Sequence, residues 1–421
     1  MLKLGYAEID ITPDIPMPLI GFNRVDSISR GILKPLLAQV AVWENEDCCC
    51  LICIDSIGFA KFLSDSLRTR VAKVLNVSKD KVMLCFSHCH SAPDADSMTD
   101  YYEMVCRKIE FATRSALSDM QPVLVGWTNV EAEIGVNRRE GNSNIDKRVG
   151  ILKICGLNND MRLLLLRVTA HCNVLKRDNY FISPDYFGAI RDRLQDKYGC
   201  HTMVIQGAAG NIAPKYFNSE LTPIDADGPQ YVRSTTALED MADAICEKMA
   251  EKIDVINITE DLSAKMYSRN ILLNANVPSY EEAEHITEEA KQYCGIDGSD
   301  WLQEVSRLHN KGVSCQEENC EIQYFSIGQW CICGVPYELM VEFALEPMKI
   351  LKNEYFYVNG YTNGCLSYFP TEEEFELGGY EVYWSLLIYY KYFNRVFPFE
   401  KESASKLIGC IVQDMLSNSV Q

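Results

Sequence analysis

Apolar residues along this chain fall into two recurrent patterns. Short, nearly continuous apolar runs cover Leu36–Trp43, Cys49–Ile54, Val82–Phe86, Met161–Val168 and Thr202–Ile205, each closed by turn-forming or polar residues. Such runs predict strands buried in the interior. Between them, apolar residues recur at helical spacing: Leu67, Val71, Val74 and Leu75; Tyr101, Val105, Ile109, Ala112 and Ala116; Phe187, Ile190 and Leu194. The polar turn Glu44–Asp47 makes the first two runs a hairpin, and Gly328-Gln329 does the same for Ile322–Ser326 and Trp330–Cys333. Residues 121–136 and Phe356–Val358 predict further strands, and 237–252 and about 402–416 predict amphipathic helices. Residues 1–36 are turn-rich and read as irregular, 216–230 as loop, and 278–312 as a Glu-rich helical surface insert. Strands and helices alternate without repeat or linker. That predicts an α/β fold forming one domain over residues 1–421.

Composition narrows the function classes. A formal charge of −19 argues against nucleic-acid and anionic-membrane partners, which need basic patches. The first ten residues lack the apolar core of a signal peptide, and no apolar stretch is long enough to span a bilayer. Many of the 18 cysteines sit inside apolar runs, Cys50 and Cys53 of Cys49–Ile54 among them, where a thiol packs as a small hydrophobe. They read as reduced thiols, and the expected location is cytoplasmic.

Candidate chemistry gathers at the ends of the apolar runs. Ser87-His88-Cys89-His90-Ser91-Ala92-Pro93 follows Val82–Phe86. Residues i and i+2 of an extended segment share a face, so His88 and His90 point together and can serve a metal or acid–base site. His171 ends Met161–Val168 in the same way, and in open α/β sheets ligands gather outside the carboxyl ends of strands. The run Gln206-Gly207-Ala208-Ala209-Gly210-Asn211-Ile212-Ala213 is a glycine-rich turn that offers backbone N–H donors but lacks the phosphate-binding Gly-Lys-Ser/Thr ending. Glu338 reads as the opening of a helix, where a carboxylate complements the dipole or serves as a ligand. Arg138 and Arg139 follow a strand and suit either an anion or solvent.

Together these segments resemble the catalytic domain of the neutral/alkaline ceramidases, zinc-dependent amidases. The resemblance runs from Gly5-Tyr-Ala-Glu-Ile-Asp-Ile-Thr-Pro13 to Gly379-Tyr380-Glu381, and Ser87–Pro93 looks like the family's T-H-T-H-S-G-P. It implies a central mixed β-sheet flanked by helices and one Zn2+ per chain. By the match, His88, His171, Glu338 and Tyr368 hold the metal, His90 is the acid–base group, and Arg138 and Tyr380 lie in the active site. Tyr380 and the loop residues Gly207, Gly210, Asn211 and Ala213 are expected at the oxyanion or substrate. The family's G-D-V-S-P-N reads Gly210-Asn211-Ile212-Ala213-Pro214-Lys215 here, so the serine hydroxyl is missing. The family's additional β-sandwich domain and signal peptide are also not matched.

The expected activity is therefore zinc-dependent hydrolysis of a small or acylated amide, or a related acyl compound, other than ceramide. The alternative raised by Ala213 is a metal-binding relative without catalysis. A barrel amidohydrolase or metallo-β-lactamase is disfavoured, because neither eightfold β/α spacing nor an H-x-H-x-D-H run occurs.

Overall fold

The computed structural model describes residues 1–215, 235–260, 262–393 and 395–418. The 216–230 segment lies outside these described residues. An eight-stranded mixed sheet dominates the structure. Its strands are β1 (Lys3–Asp10), β2 (Leu37–Glu44), β3 (Cys48–Ile54), β4 (Val82–Phe86), β5 (Gln121–Glu131), β6 (Arg148–Gly156), β7 (Met161–Val168) and β8 (His201–Gln206). The spatial order is β8-β7-β6-β5-β1-β2-β3-β4, with parallel pairs only at the two edges, β8/β7 and β3/β4. A second sheet of four strands contains Ala264–Asn276, Cys315–Ile327, Trp330–Gly334 and Phe356–Asn359.

Period-2 alternation within the apolar runs explains their continuity. Leu51, Met83, Leu163, Leu165 and Met203 face the second sheet and share a core with Phe325, Trp330 and Tyr357. Their neighbours Ile52, Leu84, Leu164, Leu166 and Val204 face the opposite way. There they meet four helices, Lys61–Leu75, Thr99–Ser118, Asp185–Tyr198 and Thr235–Ala250. The far face of the second sheet packs against helices Glu342–Leu351 and Ser403–Asn418 through Phe343, Leu407 and Ile411. Four layers result: helices, sheet, sheet, helices. Both faces of each sheet are covered, which is why its strands carry so few polar positions.

Several expectations need correction. Residues 1–36 are not all irregular, since β1 lies inside the large sheet, with Leu4 and Tyr6 buried in the intersheet core. The predicted strand over 121–136 breaks after Glu131 and resumes as Gly135–Asn137, which pairs with Ile212–Pro214. Glu338 does not open a helix. It belongs to a two-residue strand, Glu338–Leu339, parallel to Tyr368–Phe369, and the helix starts at Glu342. The 278–312 insert is helical (Tyr280–Cys294 and Ser299–Asn310), but it is more than solvated surface. Ile286, Trp301 and Val305 form a small core with Leu387 and Tyr390 of helix Ser385–Phe393.

Candidate metal centre

The first histidines are placed by a kink rather than by strand geometry. The edge strand β4 stops at Phe86, and His88 takes a left-handed conformation (φ 57°). The i, i+2 argument for an extended segment therefore does not apply. The two rings nevertheless meet, with centroids 4.9 Å apart, because the kink turns the chain toward one spot. Cys89, between them, is turned away, and its thiol donates to the Ser183 carbonyl (2.9 Å).

His171 arrives from β7, the strand next to the edge opposite β4. The sheet curls enough for its edges to approach: the Gln206 side-chain amide bridges the carbonyls of Ser87 (3.3 Å) and Ala170 (2.7 Å). The His171 N–H donates to Ile212 O (2.9 Å), and the loop beyond it is pinned by the buried Asp185 carboxylate, which accepts from Val174 and Leu175 N–H. Ring centroids of His88 and His171 lie 4.8 Å apart, and those of His90 and His171 5.4 Å.

Each of these imidazoles engages a backbone carbonyl through Nδ1: His88 with Ile57 O (2.8 Å), His90 with Gly21 O (3.0 Å) and His171 with Ala209 O (2.8 Å). A carbonyl can only accept, so the proton sits on Nδ1 and Nε2 carries the free lone pair. The Nε2 atoms of His90 and His171 are buried and have no hydrogen-bond partner. A carboxylate oxygen of Glu338 stands 3.1 Å from His88 Nε2 and 3.5 Å from His171 Nε2. Ligand atoms of the three histidines lie within 4.8 Å of one another. Orphaned buried lone pairs are costly, and backbone carbonyls behind metal-ligating imidazoles are a recurrent outer-shell device. The donor set therefore suits a divalent metal of zinc's type. Burial, helped by the neighbouring cationic groups, pushes the His90 and His171 pKa values well below the ordinary imidazole range, leaving them neutral near pH 7.

Tyr368 reaches the site through the strand pairing that sets it opposite Glu338. Its hydroxyl receives a hydrogen bond from Arg138 Nη2 (3.0 Å), and Arg138 also bonds Gly210 O. Burial raises the Tyr368 hydroxyl well above its usual pKa, the Glu338 charge adds to this, and Arg138 opposes both. Arg138 is held from behind by Glu381 (3.1 Å), which also binds Arg139 (2.8 Å). Arg139 further grips Glu374 and the Gly378 carbonyl. Arg138 thus touches Tyr368 rather than the histidine cluster. Tyr380 packs at 6.0 Å from the Tyr368 ring on the segment that Arg139 fastens.

The glycine-rich loop does not do what its composition implied. Gly207 N–H is spent on Val168 O (2.7 Å) and Gly210 N–H on Leu339 O (2.7 Å), so neither is free for an oxyanion. A side chain at Gly210 would collide with the Glu338 and Leu339 carbonyls at 2.7 Å, which is why the backbone there needs glycine. Asn211 is also occupied, donating to Glu342 (3.0 Å) and accepting from Val341 N–H (2.8 Å). Ala213 is buried, pairs with Val136 and forms no part of the cavity wall. The loop's role is to seat His171 and Glu338.

Sequence reasoning missed Tyr361, whose ring lies 4.3 Å from that of His88 and whose hydroxyl is 3.4 Å from Glu338. Its signal was available, because it follows the Phe356–Asn359 strand end as His88 and His171 follow theirs. Asp94, Asp96 and Glu381 were also missed. His88, His90 and Glu338 open into a cavity of about 80 Å³ that Tyr368, Tyr380, Tyr389 and Phe393 also line. Larger surface depressions occur around Trp127, His201 and Lys248. Among the described residues, His88, His90 and His171 make up the one His/Cys/Asp/Glu cluster close enough to share an ion.

Fold and site together define a layered mixed α/β protein whose strand ends converge on a candidate mononuclear metal centre. Solved structures share that fold. The chain aligns with neutral ceramidase from Pseudomonas aeruginosa at a TM-score of 0.70 and 17% identity, over 90% of this chain and 70% of that one. It aligns with a ceramidase complexed with C2 at a TM-score of 0.71 and 16% identity, over 98% of this chain and 74% of the other. No protein-family model and no curated protein matches the sequence. The chain has a ceramidase-like fold.

Proposed function

We propose that the protein is a zinc-dependent hydrolase that cleaves an amide (N-acyl) or related acyl bond in a substrate other than ceramide. The observation that carries this reading is the buried cluster of His88, His90 and His171, in which Nε2 of His90 and of His171 has no hydrogen-bond partner and a Glu338 oxygen stands 3.1 Å from His88 Nε2 and 3.5 Å from His171 Nε2. In this reading His88, His171, Glu338 and Tyr368 hold the ion, one per chain, and His90 is left for acid–base work. Bound zinc would supply Lewis-acid chemistry, polarising a carbonyl and acidifying water. His90 takes a proton at Nε2 and returns it to the leaving amine, its tautomer set by Gly21 O. Tyr380 donates its hydroxyl to the developing oxyanion. Arg138 keeps the Tyr368 oxygen aimed at the ion.

The rest of the reading follows. Residues 1–421 act as one catalytic domain, because the two sheets share a core and neither could expose it alone. The partner is a small or acylated amide, not nucleic acid, and the charge of −19 disfavours stable membrane association. Among the described residues, no helix is long and apolar enough to cross a membrane. A cytoplasmic location suits the eighteen free thiols. The second reading, a metal-binding relative without turnover, rests on Ala213 in place of serine.

Protein purified without added metal should contain close to one zinc per chain and hydrolyse members of an amide and ester panel, with His88→Ala abolishing both. Turnover unchanged in His88→Ala overturns the hydrolase assignment. Stoichiometric zinc with no turnover on any amide or ester selects the second reading.

A further inference from the structure

The cavity above the histidine cluster has a charge of one sign. Asp94, Asp96 and Glu338 line it, and among the described residues no lysine or arginine does. The cations around it are engaged elsewhere: Arg138 with Gly210 O, Tyr368 and Glu381, Arg24 with the His90 and Asn179 carbonyls, and Lys176 with Asn173. The two aspartates cannot swing out of the way. Asp94 accepts from Asp96 N–H (3.0 Å) and from the Ser97 hydroxyl, and Asp96 accepts Ala60 N–H with both oxygens (2.9 and 3.1 Å). These bonds fix the carboxylates yet leave lone pairs on each. The same wall carries the rings of Tyr389 and Tyr392, whose faces attract cations. At the floor, His90 is over nine-tenths buried, with its Nε2 unpartnered, so the acidic wall belongs to a built site rather than to solvated surface.

We propose that the substrate is a small amide bearing a cationic amine, with its ammonium against Asp94, Asp96 and the tyrosine faces and its carbonyl over the histidine cluster. The inference rests on the hydrolase reading and names its substrate class. A cavity of about 80 Å³ is small beside the ~300–1,000 Å³ of drug-sized sites. It therefore takes a short chain rather than a bulky one. With Glu338 engaged at the metal, the end of an anionic amide remote from its carbonyl meets Asp94 and Asp96, which repel it. Burial raises the Asp96 pKa to about 7, a cost that an adjacent ammonium offsets.

The test compares three N-acyl probes of similar length at pH 8 on the zinc-loaded protein: N-acetyl-1,5-diaminopentane (cationic), N-hexylacetamide (neutral) and N-acetyl-6-aminohexanoate (anionic). The cationic probe should exceed the neutral one in kcat/KM by about tenfold or more, and the anionic probe should be the poorest. Asp94→Asn should reduce the cationic-to-neutral ratio about fivefold. Independently of turnover, calorimetry on metal-free protein should show pentylamine binding at least about tenfold tighter than 1-pentanol, with the gap narrowed in Asp94→Asn. Equal kcat/KM for cationic and neutral probes, or a ratio unmoved by Asp94→Asn, overturns the inference and leaves the hydrolase reading standing. If no probe turns over, the amine-to-alcohol binding ratio decides. A ratio dependent on Asp94 then upholds the cation site and leaves the hydrolase reading to the amide and ester panel, and a ratio near one overturns the cation site.

Discussion

Glu381→Gln tests whether the charge relay behind Tyr368 governs the metal centre. One Glu381 oxygen sits 3.1 Å from Arg138 Nε and the other 2.8 Å from Arg139 Nη1. The amide keeps one acceptor but aims its NH2 at a guanidinium, so one charge-assisted hydrogen bond of about 1.5–3 kcal/mol is lost and a donor faces a donor. Arg139 retains Glu374 and Gly378 O, which limits the damage to about 2–4 kcal/mol. At roughly 2.1 cal/mol/K per residue, 421 residues unfold with an entropy of about 0.9 kcal/mol/K, so the melting temperature should fall about 2–4 °C. The larger effect is local. Without Glu381, Arg138 keeps only uncharged acceptors, the Tyr368 hydroxyl loses its fixed partner, and zinc affinity should fall about 10–100-fold, as for other outer-shell losses. A chelator-competition titration measures that affinity, and Glu304→Gln, which touches only the surface pair with Arg307, serves as control. A Glu381→Gln protein that melts lower yet binds zinc as tightly as wild type would refute the positioning role. One that matches wild type in both would refute the whole chain of reasoning.

His90→Ala should keep zinc while losing about 10²–10⁴-fold in kcat, whereas His171→Ala should lose the metal; loss of zinc from His90→Ala by elemental analysis would make His90 a ligand instead. Gly21→Ala places a Cβ 2.5 Å from His90 Nδ1 at a backbone φ of 97°, so activity should drop sharply with only about 1–3 kcal/mol of destabilisation; an active variant in a kinetic assay would show that His90 need not sit where Gly21 O holds it. Asp96 has a folded pKa near 7 against an unfolded value near 3.9, so the folded state holds the proton more tightly and stability falls as pH rises between about 4 and 7. Asp96→Asn removes that slope: its stability relative to wild type should improve by up to about 4 kcal/mol from pH 4 to pH 8, and parallel denaturation curves across that range would count against the buried carboxylate.

Local sequence determined much of this protein. The apolar runs specified the buried strands, the helical stripes specified the covering helices, and His88, His90 and His171 stood out because each follows a strand end. Patterning failed where the cause is not local. Lys3–Asp10 passed for irregular chain because Asp10 and the prolines after it masked its period-2 face, yet pairing with Leu37–Glu44 and Gln121–Glu131 makes it a strand. Glu338 passed for a helix opening because only its parallel partner, Tyr368–Phe369, draws it into a strand. The glycine-rich loop passed for a donor nest because nothing local showed that Val168 and Leu339 consume its amides. Tertiary structure also decided the site itself. Val82–Phe86 and His201–Gln206 are opposite edges of one eight-stranded sheet, and only its curl lets Gln206 bridge Ser87 to Ala170 and bring the histidines together. Twist accumulates from strand to strand through backbone sterics common to every sequence. Where two edges meet therefore depends on the number, order and packing of all the strands between them, which no short stretch of residues encodes.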